Sequence, residues 1–309
     1  MRPPGRNCPL SYRYAPEELA REPQLAADSL WIAGGLYGNP FALDCLIELY
    51  ERERGPKALV FNGDFHWFDV DPGLFARIDR AVLGFRATRG NIETELAAPH
   101  ARAGCGCAYP DWVDDGTVER SNEIMERLRA AAVDTRRLAA LPMHLVAQVG
   151  PARVGIVHGD AESLAGWGFS REVLSTSPGI DAARRAFDRA EVEVFASSHT
   201  CLPGLQRFSE SRALINNGSA GMPNWRREIY GVVTRISVNP CDDALYGLQC
   251  NEIHVEAIAL RYDQAAWKKR FLELWPQGSA AHRSYYERIS KGPSNPLGER
   301  QHEVVASTT

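Results

Sequence analysis

Four stretches of this chain end in residues that can bind a metal or a phosphate: Asp64, Asn91, His158-Gly159-Asp160 and His199. Each is an apolar run that breaks into a polar turn. Ala58-Leu59-Val60-Phe61 runs into Asn62-Gly63-Asp64, and Phe85 to Thr88 runs into Arg89-Gly90-Asn91. Val154 to Val157 meets His158-Gly159-Asp160, and Val192 to Ala196 meets Ser198-His199-Thr200-Cys201. An apolar run halted by turn residues reads as a buried strand ending in a loop. In a parallel sheet, ligands bind in the crevice at the carboxyl ends of the strands. One such tip is also plain turn chemistry, since Gly-Asp and Gly-Asn are turn formers. Four in one chain point to a single site assembled from several loops.

The elements that must carry these tips follow from hydrophobic periodicity. Ser29–Ala33 reads as a first strand, broken by Gly34-Gly35 and a tight loop through Asn39-Pro40. Phe41 to Arg54 has one apolar helical face, with Pro40 at its first turn and Gly55 just past its end. Lys57–Phe61 is the next strand, so the chain opens as β-loop-α-β, the repeating unit of α/β architecture. Further along, the pattern predicts a helix over 72–80, a strand over 81–88, an irregular insertion over about 92–117 and a long helix over 118–141. A hairpin of 144–149 and 153–157 follows, then a helix over 181–190 and a strand over 191–196. Strands over 212–215, 230–238 and 253–260 and a helix over 265–275 complete the pattern. Residues 1–28 are expected to be an N-terminal arm with a short helix near 17–21. Residues 29–276 are expected to form one α/β domain, and 277–309 a loosely held polar tail.

Bulk properties narrow the function classes. The 309 residues carry a net charge of −4, which argues against a general nucleic-acid surface. No apolar run reaches the roughly 20 residues needed to span a bilayer. The proline-rich opening lacks the apolar core of a secretory signal. Seven cysteines, an odd and scattered set, fit a reducing, cytoplasmic setting.

In order, the polar tips are Gly38-Asn39, Gly63-Asp64, Gly90-Asn91, His158-Gly159-Asp160, His199-Thr200-Cys201 and Asn217-Gly218-Ser219. This series resembles the calcineurin-like metallophosphoesterases, most of all their compact bacterial branch, whose motifs run D-x-H-G-N, G-D, G-N, H-G-D, G-H-T-H and N-P-G-S. The resemblance spans residues 29 to 262. It implies a four-layer α/β/β/α sandwich with a metal site at the strand ends. In such sites two divalent ions about 3.5–4 Å apart clamp a phosphate and activate water. By the same resemblance, Asp64 bridges both ions and Asn91, His158 and His199 hold the second, and such carboxylate, amide and imidazole donors suit Mn, Fe or Zn. Asn39, Asp160 and Ser219 are the candidates for the substrate pocket.

The ligands private to the first ion are replaced. Gly35 stands where the family has aspartate, Tyr37 where it has histidine, and Cys201 where the last histidine of G-H-T-H belongs. Ile92 occupies the position of the catalytic histidine after Gly-Asn. Two readings of the metal centre stay open. One is a mononuclear site of Asp64, Asn91, His158 and His199. The other is a rebuilt two-ion site using Tyr37, Cys201, Cys105 or Cys107, although Cys105 and Cys107 are only one residue apart, closer than zinc-binding pairs usually are. His66 is the candidate proton source, or else part of a packed aromatic loop with Trp67 and Phe68. The expected function is hydrolysis of a phosphorylated small molecule or nucleotide. The alternatives are a degenerate relative that binds such a ligand or a protein partner, and a redox or thiolate-metal role for Cys105, Cys107 and Cys201. The sequence is silent on oligomeric state.

Overall fold

The computed structural model describes residues 2–100, 102–293 and 304–305. Its strands, in chain order, are β1 Leu25–Ala27, β2 Ser29–Ala33, β3 Lys57–Asn62, β4 Arg86–Thr88, β5 His144–Val149, β6 Ala152–Val157 and β7 Val194–Ser197. They continue with β8 Pro203–Ser209, β9 Arg212–Asn217, β10 Gly231–Ser237, β11 Tyr246–Cys250, β12 Ile253–Leu260 and β13 Val304–Val305. The helices are α1 Pro40–Arg52, α2 Pro72–Val82, α3 Asn91–Ala97, α4 Asp115–Ala131, α5 Arg136–Ala139, α6 Arg171–Leu174, α7 Ser177–Ala190, α8 Gln264–Leu274 and α9 Ala280–Lys291.

The strands form two sheets. One has the order β11-β12-β10-β2-β3-β4 and the other β1-β5-β6-β7-β9-β8-β13. β2, β3 and β4 run parallel, as do β6, β7 and β9, so the polar tips of each group emerge at one end. Leu30, Ile32 and Val60 of the first sheet pack against Val154, Val194 and Ile215 of the second. This gives the dry middle layer of a sandwich. The outer face of the first sheet is covered by α1, α2 and α8 through residues such as Leu43, Phe75 and Phe271, and that of the second by α7 through Phe187. The α/β/β/α order expected from the sequence is the order observed.

Several boundaries differ from the pattern. Residues 81–82 close α2, and the strand after them is only three residues long. The insertion over 92–117 begins with a helix, because Glu93 reaches back to the Gly90 amide and caps α3. The long helix starts earlier, at an Asp114 cap, and stops at Ala131; extended Ala132 and left-handed Asp134 separate it from α5. The N-terminal arm packs against the rest of the chain: Tyr12 is buried and its hydroxyl donates to Glu95. Within the expected polar tail, α9 is capped by Ser279, and Ala280, Ala281 and Ile289 are buried in the core. Residues 294–303 and 306–309 of that tail lie outside the described residues.

Candidate metal centre and cleft

Asp64 follows β3 with φ at 52°, a left-handed turn that aims its carboxylate back across the strand ends. The turn is held by Glu93. Its buried carboxylate accepts from the amides of Asp64 (2.8 Å), Phe65 (3.0 Å), His66 (3.3 Å) and Gly90 (2.8 Å), tying the Gly-Asp loop to the Gly-Asn loop. Burial, then the charge of Asp64, push the Glu93 pKa up, against the pull of His66 and the amides. Gly63 and Gly90 are required for the approach: a Cβ on Gly90 would lie 2.2 Å from Asp64 Oδ1, and one on Gly63 would lie 2.6 Å from His158 Nδ1.

Both histidines have their tautomers set by carbonyls, which can only accept. His158 Nδ1 faces the Asn62 carbonyl at 2.9 Å, so Nδ1 carries the proton and Nε2 the lone pair. His199 Nε2 faces the Cys107 carbonyl at 3.0 Å, so its Nδ1 carries the lone pair. Asn91 donates through Nδ2 to the Cys105 carbonyl at 2.9 Å, which turns its Oδ1 inward. The outcome is a convergence of lone pairs. His158 Nε2 lies 3.3 Å from Asp64 Oδ1, 3.2 Å from Asn91 Oδ1 and 3.2 Å from His199 Nδ1. Such a cluster is mutually repulsive unless a proton or a cation sits among it. Burial opposes a charge on His158, yet Asp64 outweighs it and raises the pKa. His199 is driven the other way, to about 4, by burial and then by His158, which keeps it neutral and able to ligate.

A divalent ion fits this donor set. Ligand atoms about 2.1 Å from one ion, at tetrahedral or octahedral angles, lie about 3.0–3.4 Å apart. The three contacts to His158 Nε2 fall in that range, and ligand atoms of Asp64, His158 and His199 all lie within 4.8 Å of one another. Each histidine is backed by a carbonyl on its other nitrogen, the usual support of a metal-binding imidazole.

The remaining site candidates fall elsewhere. His66 does not line the cleft. It is fully buried, stacked on Phe75 at 3.8 Å, with Nδ1 2.6 Å from Asp69 Oδ2. Burial works against its charge, but Asp69 raises its pKa to about 9, so it is a structural imidazolium beneath the Asp64 loop and not a proton donor to the cleft. Asn39 caps α1 and donates to the Gly221 carbonyl. Asp160 accepts from the amides of Glu162, Ser163 and Gly168 and closes its own loop. Ser219 donates to the Gly35 carbonyl and accepts from the Met222 amide. None of the three substrate-pocket candidates turns its side chain to the cleft; short polar groups at strand ends are spent on backbone instead.

The cysteine candidates also change role. The carbonyl of Cys105 holds Asn91, whose Nδ2 also faces Cys107 Sγ at 3.6 Å, and the carbonyl of Cys107 holds both His199 and the Trp167 indole N–H at 3.0 Å. Among the described residues neither thiol joins the ligand cluster. Tyr37 and Cys201 meet each other, with Tyr37 Oη 2.6 Å from Cys201 Sγ. Burial raises the pKa of both, so phenol and thiol stay protonated. A Cβ on Gly35 would lie 2.8 Å from Tyr37 Cε2. The phenol therefore occupies the space an aspartate at 35 would need.

The cleft over these groups encloses about 160 Å³. Ile92 is apolar where a catalytic histidine was sought, and Trp67, Tyr109, Trp167 and Tyr285 form its aromatic walls. Arg288 of α9 reaches its rim. Sequence reasoning missed Glu93, Trp167 and Arg288. The Gly-x-x-Glu capping pattern at Gly90 could have revealed Glu93; nothing local marks Arg288.

No protein-family model matches the chain, and no curated protein matches it. Solved structures do. The metallophosphoesterase from Sphaerobacter thermophilus is 14% identical with a TM-score of 0.55, over 86% of this chain and 100% of that one. A predicted phosphoesterase from Streptococcus pneumoniae is 12% identical with a TM-score of 0.39, over 77% and 92%, and Vps29 from Chaetomium thermophilum is 13% identical with a TM-score of 0.37, over 77% and 98%. Among the described residues no helix is long and apolar enough to cross a membrane. The likeness to the Sphaerobacter protein along its whole length, with the layer order and converging strand ends described above, gives this chain the calcineurin-like metallophosphoesterase fold.

Proposed function

We propose that the cleft holds one divalent cation through Asp64, Asn91, His158 and His199 and hydrolyses a phosphoester. The observation that carries this reading is the meeting of lone pairs at His158 Nε2, with each ring's other nitrogen committed to a carbonyl. When bound, the ion supplies charge neutralisation and a means of activating water. The chain's own groups do the rest. Glu93 fixes Asp64, the Cys105 and Cys107 carbonyls orient Asn91 and His199, and the aromatic walls limit water around the phosphoryl group. The phenol of Tyr285 stays protonated because burial raises its pKa, so it can donate to a substrate oxygen. The test is turnover of an aryl phosphodiester and an aryl phosphomonoester with Mn, Fe and Zn in turn. Metal-dependent turnover that Asp64→Asn abolishes is expected; none with any of the three, in folded protein, removes the catalytic reading.

A second reading is a binding protein that no longer hydrolyses. It is favoured by Ile92 on the cleft wall and by the Tyr37–Cys201 pair where further ligands would stand. Thermal stabilisation by a nucleotide without any turnover supports it.

A further inference from the structure

Arg288 comes from α9, beyond the span of the sequence resemblance, and its guanidinium is held firmly. Nε donates to the Pro223 carbonyl at 2.9 Å, and Nη2 to the Cys201 carbonyl at 2.9 Å and to Asn224 Oδ1 at 3.4 Å. Those bonds use three of its five N–H groups; the two on Nη1 make no hydrogen bond among the described residues. No carboxylate pairs with it among those residues either, whereas the buried Arg6 meets Asp115 and the buried Arg235 meets both Glu53 and Glu256. It lines the same cleft as Asp64 and His199, on the side of Tyr37 and Cys201. A fixed, uncompensated guanidinium facing a cleft is the geometry that takes an anionic oxygen.

We infer that Arg288 is a phosphoryl-binding residue, supplying the positive charge on the side of the cleft that the Tyr37–Cys201 pair fills. The inference rests on the phosphoester reading of the cleft. The site is then asymmetric: the Asp64–His199 cluster takes a cation on one side, and a protein-borne cation stands on the other. Its preferred ligand is a phosphate ester with two free oxygens to bridge those charges. The Tyr37 and Cys201 side chains, in contact with each other, line the cleft between them.

The test measures binding of inorganic phosphate by calorimetry, with and without Mn, to the full chain and to its Arg288→Gln and Arg288→Lys variants. Mn binding to each is measured separately. Arg288→Gln is expected to bind Mn as the parent does but to bind phosphate about tenfold or more weakly, with Arg288→Lys between them. Unchanged phosphate affinity in Arg288→Gln would overturn the inference and leave Arg288 a strut between α9 and the Cys201 loop. Loss of Mn binding in the parent counts against the metal reading alone, because the arginine dependence of phosphate binding is still read without metal. Should Arg288→Gln fold poorly, phenylglyoxal labelling of the parent replaces it. Protection of Arg288 by phosphate is expected, and labelling at an undiminished rate contradicts the inference.

Discussion

The Tyr37 phenol and the Cys201 thiol stand 2.6 Å apart, both neutral, and together they close one side of the cleft. Gly35 belongs to the same arrangement, with φ at 63° and the Tyr37 ring against its Cα hydrogen. Gly35→Asp is therefore expected to cost about 1–3 kcal/mol through backbone strain and overlap with the ring, and to gain no second ion. Chemical denaturation and metal counting check both parts. A Gly35→Asp protein of parental stability that binds two ions would show that the phenol yields.

The loop from Gly104 to Ala108 works through its backbone. Cys105→Ala and Cys107→Ser leave both carbonyls in place and are expected to keep metal affinity within about threefold, roughly 0.7 kcal/mol. Gly106→Ala is expected to be far worse, because φ there is 72° and a Cβ would lie 2.5 Å from Tyr12 Oη. Displaced carbonyls would release both Asn91 and His199. Metal titration of the three variants decides it; the reverse ranking would restore the thiolate reading.

Glu93 serves four amides with one carboxylate. Glu93→Gln keeps the volume but sets an amide NH₂ against backbone donors, so a loss of about 2–4 kcal/mol in urea unfolding is expected. A change below about 0.5 kcal/mol, within the range of ordinary surface substitutions, would mean the Asp64 loop holds itself.

His144 gives a pH dependence remote from the cleft. Its pKa is lowered from 6.5 by burial and then by the charge of Arg21, whose Nη2 lies 3.2 Å from its Nδ1. A depressed base binds fewer protons folded than unfolded, so its contribution to stability is intact above about 6.5, its unfolded value. That contribution falls as pH drops from there through the lower folded value. Melting curves across pH 4.5 to 8 are expected to show a shallower acid limb for His144→Gln. Parallel acid limbs would place the titration elsewhere.

The converging tips were legible because parallel strands in a sandwich are buried on both faces and write themselves as apolar runs, with polar residues at their ends. Asp64, Asn91, His158 and His199 were read that way. Asn39, Asp160 and Ser219 sit at equally suggestive positions, yet their side chains are taken up by amides and carbonyls, and spacing alone does not separate the two fates. β8 and β11 were missed because both carry a glycine, Gly204 and Gly247, and because a register shift between Arg207 and Ser209 breaks the alternation of β8. α9 was hidden by its polar composition: only Ala280, Ala281 and Ile289 are fully buried. Arg288 acts across more than eighty residues of chain, a distance over which sequence carries no local mark.

The number of ions bound per chain tests the centre most directly. Purified protein, stripped and reloaded with Mn or Zn, is expected to hold one ion, and His158→Ala is expected to hold none while staying folded. Two ions per chain, or one retained tightly by His158→Ala, would contradict a centre built around that imidazole.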